Sequence, residues 1–404
     1  MGAALRRATL VVLSLILAGL TTGAARSAAT DECTTAVITG AATADGNPIL
    51  WKNRDTDTLS NKVVLVREQP YDYLAVVNAR ETSGRIAWGG LNAAGFAIIN
   101  SVAYNLPESK GESADREGDV MADALRTCAT ADDFERYLAA NLGAGLGCQT
   151  NFCVIDAHGG AAIFETHNHG YQRLEAGGTP EKCLLNTNFS RSGTPDEGAG
   201  YLRFDRETEL FRSVPAGKLT HEFVLQTASR DLGHVLLRHP APAEWKKLPA
   251  DRPEWIHANY TIDRASTACA IVVHGVRPGE DPRHATLWVI LGEPVCSIAV
   301  PLWVAAGDTP AELREGDDAP IEREAARLKD RLRPLKGRDR REYLDLSKLD
   351  NREGTGWLPG DLELERQILE RTARLLRERP DSTRLAKFEQ TTAGQVLAAL
   401  QRIR

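Results

Sequence analysis

CTTAVITGAATADGNPILWKNRD, residues 33–55, is the stretch that decides the fold. It opens on a run of β-branched residues, Thr34–Thr39. It turns at Asp45-Gly46-Asn47, a hairpin signal, and resumes with Ile49–Trp51, so two paired strands are expected. Cys33 stands at the head of the first strand and Asp55 at the end of the second. A two-residue period puts Lys52 and Arg54 on the strand face opposite to Asp55.

Outward from this hairpin, strand signals continue at Lys62–Val66, Arg85–Trp88, Gly95–Asn100, Phe152–Ile155, Ala161–Glu165, Tyr171–Leu174, Leu184–Asn186, Ala268–His274, Thr286–Leu291 and Ser297–Leu302. Helices are expected over Gly118–Thr127, over Ala131–Ala139 behind Thr130, and over Leu219–Thr227. Past Gly307 the chain turns rich in Glu, Arg, Lys and Leu with helical periodicity, and Leu362, Leu369, Ala373 and Leu376 fall on one face. The basic stretch from Arg327 to Arg341 is interleaved with acids and reads as a solvated helix surface. The fold class is therefore α+β, with a helical C-terminal extension over 309–404 behind a domain over 33–308.

The 404 residues are 42% hydrophobic and 26% charged, enough for a packed core. A net charge of −6 gives no electrostatic reason to bind nucleic acid or an anionic membrane. The N-terminus reads as an export signal over 1–29. Arg6 and Arg7 precede the apolar run Leu10–Leu20, which is shorter than the roughly 20 residues of a membrane span, and small residues follow through Ala29. The expected protein is thus secreted or periplasmic, with no stable membrane anchor after processing. Asp31 and Glu32 just before Cys33 argue against lipidation.

An oxidising compartment favours paired thiols, and seven cysteines leave one over. Cys269 with Cys296 and Cys148 with Cys153 are plausible pairs, beside the alternative of buried free thiols. Cys33 is the candidate for the reactive one. A thiol needs a base, and an α-amino group with a pKa of about 7.7–8.0 is one. Cleavage behind Glu32, after a short propeptide over 30–32, would place both on a single residue. That would explain why none of the nine histidines pairs clearly with a cysteine. His167-Asn168-His169 lacks a third metal ligand, and neither metal nor cofactor is expected.

Cys33-Thr34-Thr35, Ala44-Asp45-Gly46-Asn47 and Trp51-Lys52-Asn53-Arg54-Asp55 together resemble the start of the N-terminal-nucleophile hydrolases of the linear-amide group. That group includes choloylglycine hydrolases, acyl-CoA:6-aminopenicillanate acyltransferases and cysteine dipeptidases. Gly90–Phe96, Thr187-Asn188-Phe189, Leu202-Arg203-Phe204 and Leu291–Pro294 extend the resemblance across roughly Cys33 to Val304. It implies a four-layer αββα sandwich with Cys33 as nucleophile and, through its amine, base. It further implies Asp55 beside that amine, Asn188 holding nucleophile and amine, and Arg203 supporting the site. Asn100 is the candidate oxyanion donor. Lys52 stands where the family has arginine, and with Arg54 it is a candidate for substrate binding. The activity implied is cleavage of a linear amide C–N bond in a small N-acyl amide or peptide through a Cys33 thioester, ending in hydrolysis or acyl transfer. A dipeptidase is the second enzymatic reading. A secreted, non-enzymatic, disulfide-linked protein is the third.

Overall fold

The computed structural model describes residues 32–81, 83–107, 115–337 and 339–403. The described residues belong to one compact unit. The export signal over 1–29 and the propeptide residues Thr30 and Asp31 lie outside the described residues.

Fifteen strands are described: β1 (Glu32–Ile38), β2 (Ile49–Asp55), β3 (Asn61–Val66), β4 (Tyr73–Asn78), β5 (Gly89–Asn92), β6 (Ala97–Val102), β7 (Thr150–Ile155), β8 (Ala161–His167), β9 (Gly170–Glu175), β10 (Cys183–Asn186), β11 (Trp255–His257), β12 (Thr267–His274), β13 (Thr286–Leu291), β14 (Val300–Leu302) and β15 (Tyr343–Asp345). One antiparallel sheet has the order β10-β1-β2-β12-β13-β14. The other runs β3 to β9 in sequence, and β11 pairs with β15 apart from both. The hairpin expected at Asp45-Gly46 joins β1 to β2. Gly46 sits at φ +81°, and Asp45 Oδ1 accepts from the Asn47 amide at 3.1 Å. A side chain at Gly40 would strike the Gly46 carbonyl at 2.1 Å, so only glycine lets this loop close on itself.

The sheets pack face to face. Ile99 (β6), Cys153 and Ile155 (β7) and Ile163 (β8) point inward, into one core with residues of the six-stranded sheet. Alternate residues, Ile98, Phe152, Val154 and Phe164, point outward. They are covered by α1 (Glu117–Thr127) and α2 (Ala131–Asn141), where Phe134 meets Phe152 and Phe164 edge-on at 5.5 and 5.1 Å. Thr130 and Asp133 form a capping box at the start of α2. The outer face of the six-stranded sheet is covered by α3 (Tyr201–Arg212) and by the helices Pro320–Leu332, Leu358–Arg377 and Ser382–Arg402, whose apolar residues join the same core. The layers run α, β, β, α, the expected sandwich, with a helical C-terminal segment.

Several expectations are corrected. Arg85–Trp88 is not a strand; β5 begins at Gly89. A Cβ on Gly90 would lie 2.3 Å from the Leu74 carbonyl, so the close approach of β4 selects glycine at this position. Strand β4 and helix α3 were not anticipated. Within Leu219–Thr227 only His221–Phe223 is α-helical, followed by a π-turn, and the strand expected from Ser297 starts at Val300. On the helix Leu358–Arg377 the buried stripe is Leu358, Asp361, Glu365, Ile368, Leu369 and Thr372. Ala373 is exposed, because Glu365 turns inward to an ion pair with Arg230 at 2.8 Å. The basic stretch is not wholly solvated, since Arg333 is buried against Glu293 at 2.6 Å.

All seven cysteines are buried and none is joined in a disulfide, which corrects both proposed pairs. Cys153 faces the space between the sheets, whereas Cys148 belongs to the core beneath α1 and α2, on the opposite side of β7. Cys269 lies on β12 opposite Leu291, and Cys296 ends a separate 3₁₀ turn.

Candidate active site

The register of the first hairpin builds the site. Glu32 pairs with Asp55, Cys33 with Arg54, and Thr35 with Lys52. Strand alternation puts Cys33, Thr35, Lys52 and Arg54 on the face toward the seven-stranded sheet, where Thr35 Oγ1 lies 3.8 Å from Cys153 Sγ. Glu32, Thr34 and Asp55 lie on the other face, toward α3.

Two side chains hold the backbone of Cys33. Its nitrogen donates to Asn188 Oδ1 at 3.0 Å. Its carbonyl accepts from Arg203 Nη1 at 2.7 Å. Arg203, fully buried, also donates to Thr34 Oγ1 (2.9 Å), to Glu32 Oε2 (2.7 Å) and to Asn188 Oδ1 (2.8 Å). One guanidinium thus ties together the residues on both sides of the Glu32–Cys33 bond and the asparagine that holds its nitrogen. Arg203 reaches this point because α3 starts sharply. Gly200, at φ +80°, precedes its first residue, and a Cβ there would lie 2.6 Å from Arg203 Nη2. Asn188 follows β10 and is fixed by its own Nδ2, which donates to the Val102 carbonyl at 2.9 Å.

Asp55 is buried at the end of β2. It accepts from Thr267 Oγ1 at 2.7 Å and from Arg264 Nε at 2.8 Å, and it lies 4.0 Å from Arg203 Nη1. Arg264 also donates to Glu32 Oε2 at 2.9 Å. Two carboxylates and two guanidiniums therefore form one buried cluster. Burial alone would raise the Glu32 carboxyl, but Arg264 and Arg203 reverse this and hold it below its usual value. Burial also works against the charge on Arg264, yet Asp55 and Glu32 leave its pKa raised. For Arg203, burial and the facing Arg264 push the pKa down.

The structure thus gathers Cys33, Asp55, Asn188 and Arg203 into one bonded cluster. Sequence reasoning passes over Arg264, which completes that cluster. Its only signal is an Asp-Arg pair in the loop before the apolar strand β12, 209 residues from its partner Asp55. Lys52 and Asn100 form a second group. Lys52 Nζ donates to Asn100 Oδ1 (2.7 Å) and to the Trp88 carbonyl (3.0 Å), while Asn100 Nδ2 donates to Thr150 Oγ1 (3.1 Å). Asn100 and Asn188 are alike in this respect: each carboxamide is engaged at both ends, and each Nδ2 carries a second hydrogen beside the one given to Thr150 or to Val102. Arg54 is buried, donates to Asn61 Oδ1 at 2.5 Å and stacks 4.5 Å from the Trp88 ring.

Among the described residues, the side chains placed closely enough to share a metal ion are Asp45, His221 and His274, at the far end of the β1–β2 hairpin. The two imidazoles stack at 4.0 Å, and His274 pairs with Asp45 at 2.8 Å.

No family model and no curated protein matches the chain. Solved structures similar to it include penicillin V acylase from Agrobacterium tumefaciens, at 15% identity and TM-score 0.40, covering 67% of this chain and 86% of that one. A Caenorhabditis elegans ortholog of N-acylethanolamine-hydrolyzing acid amidase has 12% identity and TM-score 0.41, covering 60% and 92%. A mutant of the conjugated bile acid hydrolase from Clostridium perfringens has 10% identity and TM-score 0.37, covering 64% and 89%.

Proposed function

We propose that the chain is the precursor of an exported cysteine amidohydrolase, cut behind Glu32, in which Cys33 acts as both nucleophile and base. The observation that carries this reading is the double hold on Cys33: Asn188 on its nitrogen and Arg203 on its carbonyl. Strand β10 pairs with β1 only from Thr35 onward, so at Cys33 two side chains take the place of a strand partner and fix its nitrogen and carbonyl. A residue that must present a freed amine at one fixed place needs both.

Cleavage consumes one water and leaves Glu32 with a carboxylate and Cys33 with an amine. The neutral amine accepts the thiol proton, and the sulfur attacks the substrate amide carbonyl. Asn100 and Asn188, each with one Nδ2 hydrogen left to give, stand as the donors for the developing oxyanion. The resulting ammonium then protonates the leaving nitrogen as the C–N bond breaks, giving a thioester. Water attacks the thioester, the amine takes its proton, and the acid is released. Asp55, held by Thr267 and Arg264, keeps a negative charge beside the ammonium that forms in each half-reaction. An amine acceptor in place of water would make the same site an acyltransferase.

The test is a panel of fatty-acyl, aryl-acyl and dipeptide amides offered to secreted protein whose N-terminus has been sequenced. Activity toward N-acyl amides from chains beginning at Cys33 supports the reading. Equal activity from chains that begin upstream of Cys33 removes it.

A further inference from the structure

We propose that the place vacated by the Glu32 side chain is an anion subsite for the acyl half of the substrate. The fitting acyl group carries a carboxylate three carbons beyond the scissile carbonyl, as in glutaryl and α-glutamyl amides. This rests on the reading of Cys33 as a nucleophile freed behind Glu32, and it names the substrate class for that site.

In the uncut chain the Glu32 carbonyl is the acyl side of the bond to be broken. On this reading the Cys33 sulfur makes the cut itself, attacking the Glu32 carbonyl as the C–N bond to Cys33 breaks and yielding the Glu32 acid to water. The same sulfur later attacks the substrate carbonyl, so what hangs from the Glu32 carbonyl marks where the substrate's acyl group lies. What hangs there is a three-carbon arm ending in a carboxylate, held by Arg203 Nη2 at 2.7 Å and Arg264 Nη2 at 2.9 Å.

Both guanidiniums are fixed independently of Glu32. Arg203 is held by Thr34, Asn188 and the Cys33 carbonyl, and Arg264 by Asp55 and by the Asn259 carbonyl at 3.0 Å. Their side chains are 0% and 6% exposed, against 20% for Glu32. Glu32 is thus the most exposed of the three, and its removal uncovers the two guanidiniums.

Charge makes the same point. Before cleavage, two guanidiniums face two carboxylates. Afterwards Asp55 alone opposes them, with an amine added. Buried positive charge left without a partner is unfavourable, and a ligand carboxylate restores the balance with two charge-assisted hydrogen bonds.

The test uses processed wild-type enzyme and two anilides of equal length, glutaryl p-nitroanilide and its neutral 5-amino-5-oxopentanoyl counterpart. The expected result is a kcat/KM at least about tenfold higher for the acid, the scale of one charge-assisted hydrogen bond. Glutarate should inhibit competitively and glutaramide should not. In Arg264→Gln the preference should fall toward one, whatever the absolute rate. If that variant does not fold, the wild-type rate ratio and the inhibitor pair decide alone. Equal or faster cleavage of the neutral anilide overturns the subsite while leaving the nucleophile assignment standing. Loss of all amide cleavage, with the Glu32–Cys33 bond intact by mass, overturns both.

Discussion

Replacing Arg203 by methionine tests whether the site is held by one buried cation. In a Cys33→Ala background that keeps Glu32 in place, the change removes four hydrogen bonds, to Glu32, the residue 33 carbonyl, Thr34 and Asn188. Arg203 is fully buried, so water does not replace them. Bonds to a charged donor contribute about 1.5–3 kcal/mol each, but partners that share one group are not additive. Removing one member of a buried ionic cluster costs about 3–5 kcal/mol, and that is the loss expected here. Methionine keeps most of the volume, so little of the loss is cavity formation. Urea unfolding followed by tryptophan fluorescence measures it. Arg277→Met serves as the control, since Arg277 pairs with Glu280 on the open surface. A double cycle with Asn188→Ala should show coupling of about 0.5–3 kcal/mol. A loss for Arg203→Met no larger than the control's, or no coupling to Asn188, would refute the reasoning.

Glu207 is fully buried with neither carboxylate oxygen bonded, and burial raises its pKa well above the ordinary value despite nearby Arg203 and Arg191. Its stabilising contribution is complete below the unfolded carboxyl value of about 4.3 and is lost as pH rises toward the folded value. Glu207→Gln should therefore raise the melting temperature at pH 8 more than at pH 4.5; an equal gain at both pH values contradicts this. Gly200→Ala puts a Cβ at φ +80° within 2.6 Å of Arg203 Nη2 and should cost about 1–2 kcal/mol in urea unfolding, with a fall in amidase activity. Thiol titration of wild type in denaturant without reductant should count seven thiols; a count of one or three would restore the disulfide scheme.

The parts of the fold that follow short-range pattern were legible in the sequence. The β1–β2 hairpin follows from β-branched runs around Asp45-Gly46, and its register brings Glu32 and Cys33 beside Asp55 and Arg54. Helix α2 follows from Thr130 and the acids in its first turn. Strands β12 and β13 follow from unbroken apolar runs, buried along nearly their whole length. What was not legible depends on polar groups turned inward. Helix α3 escapes because its buried positions include Arg203 and Glu207, which break the apolar period that would announce a helix face. The stripe on Leu358–Arg377 shifts because Asp361 and Glu365 take core positions, Glu365 opposite Arg230. Arg264 could not be tied to Asp55 by any spacing, since only the pairing of β2 with β12 brings that loop to the end of β2. The candidate site is thus half local hairpin and half long-range ion pairing, and only the first half is written in neighbouring residues.

Intact-mass and N-terminal analysis of secreted wild type beside Cys33→Ala reads the central claim at the atoms concerned. The account predicts a wild-type chain that begins at Cys33 with a free amine and cleaves amides, and a variant without that activity. A wild-type chain that stays joined at Glu32–Cys33 and is fully active, or a variant that retains equal activity, contradicts it.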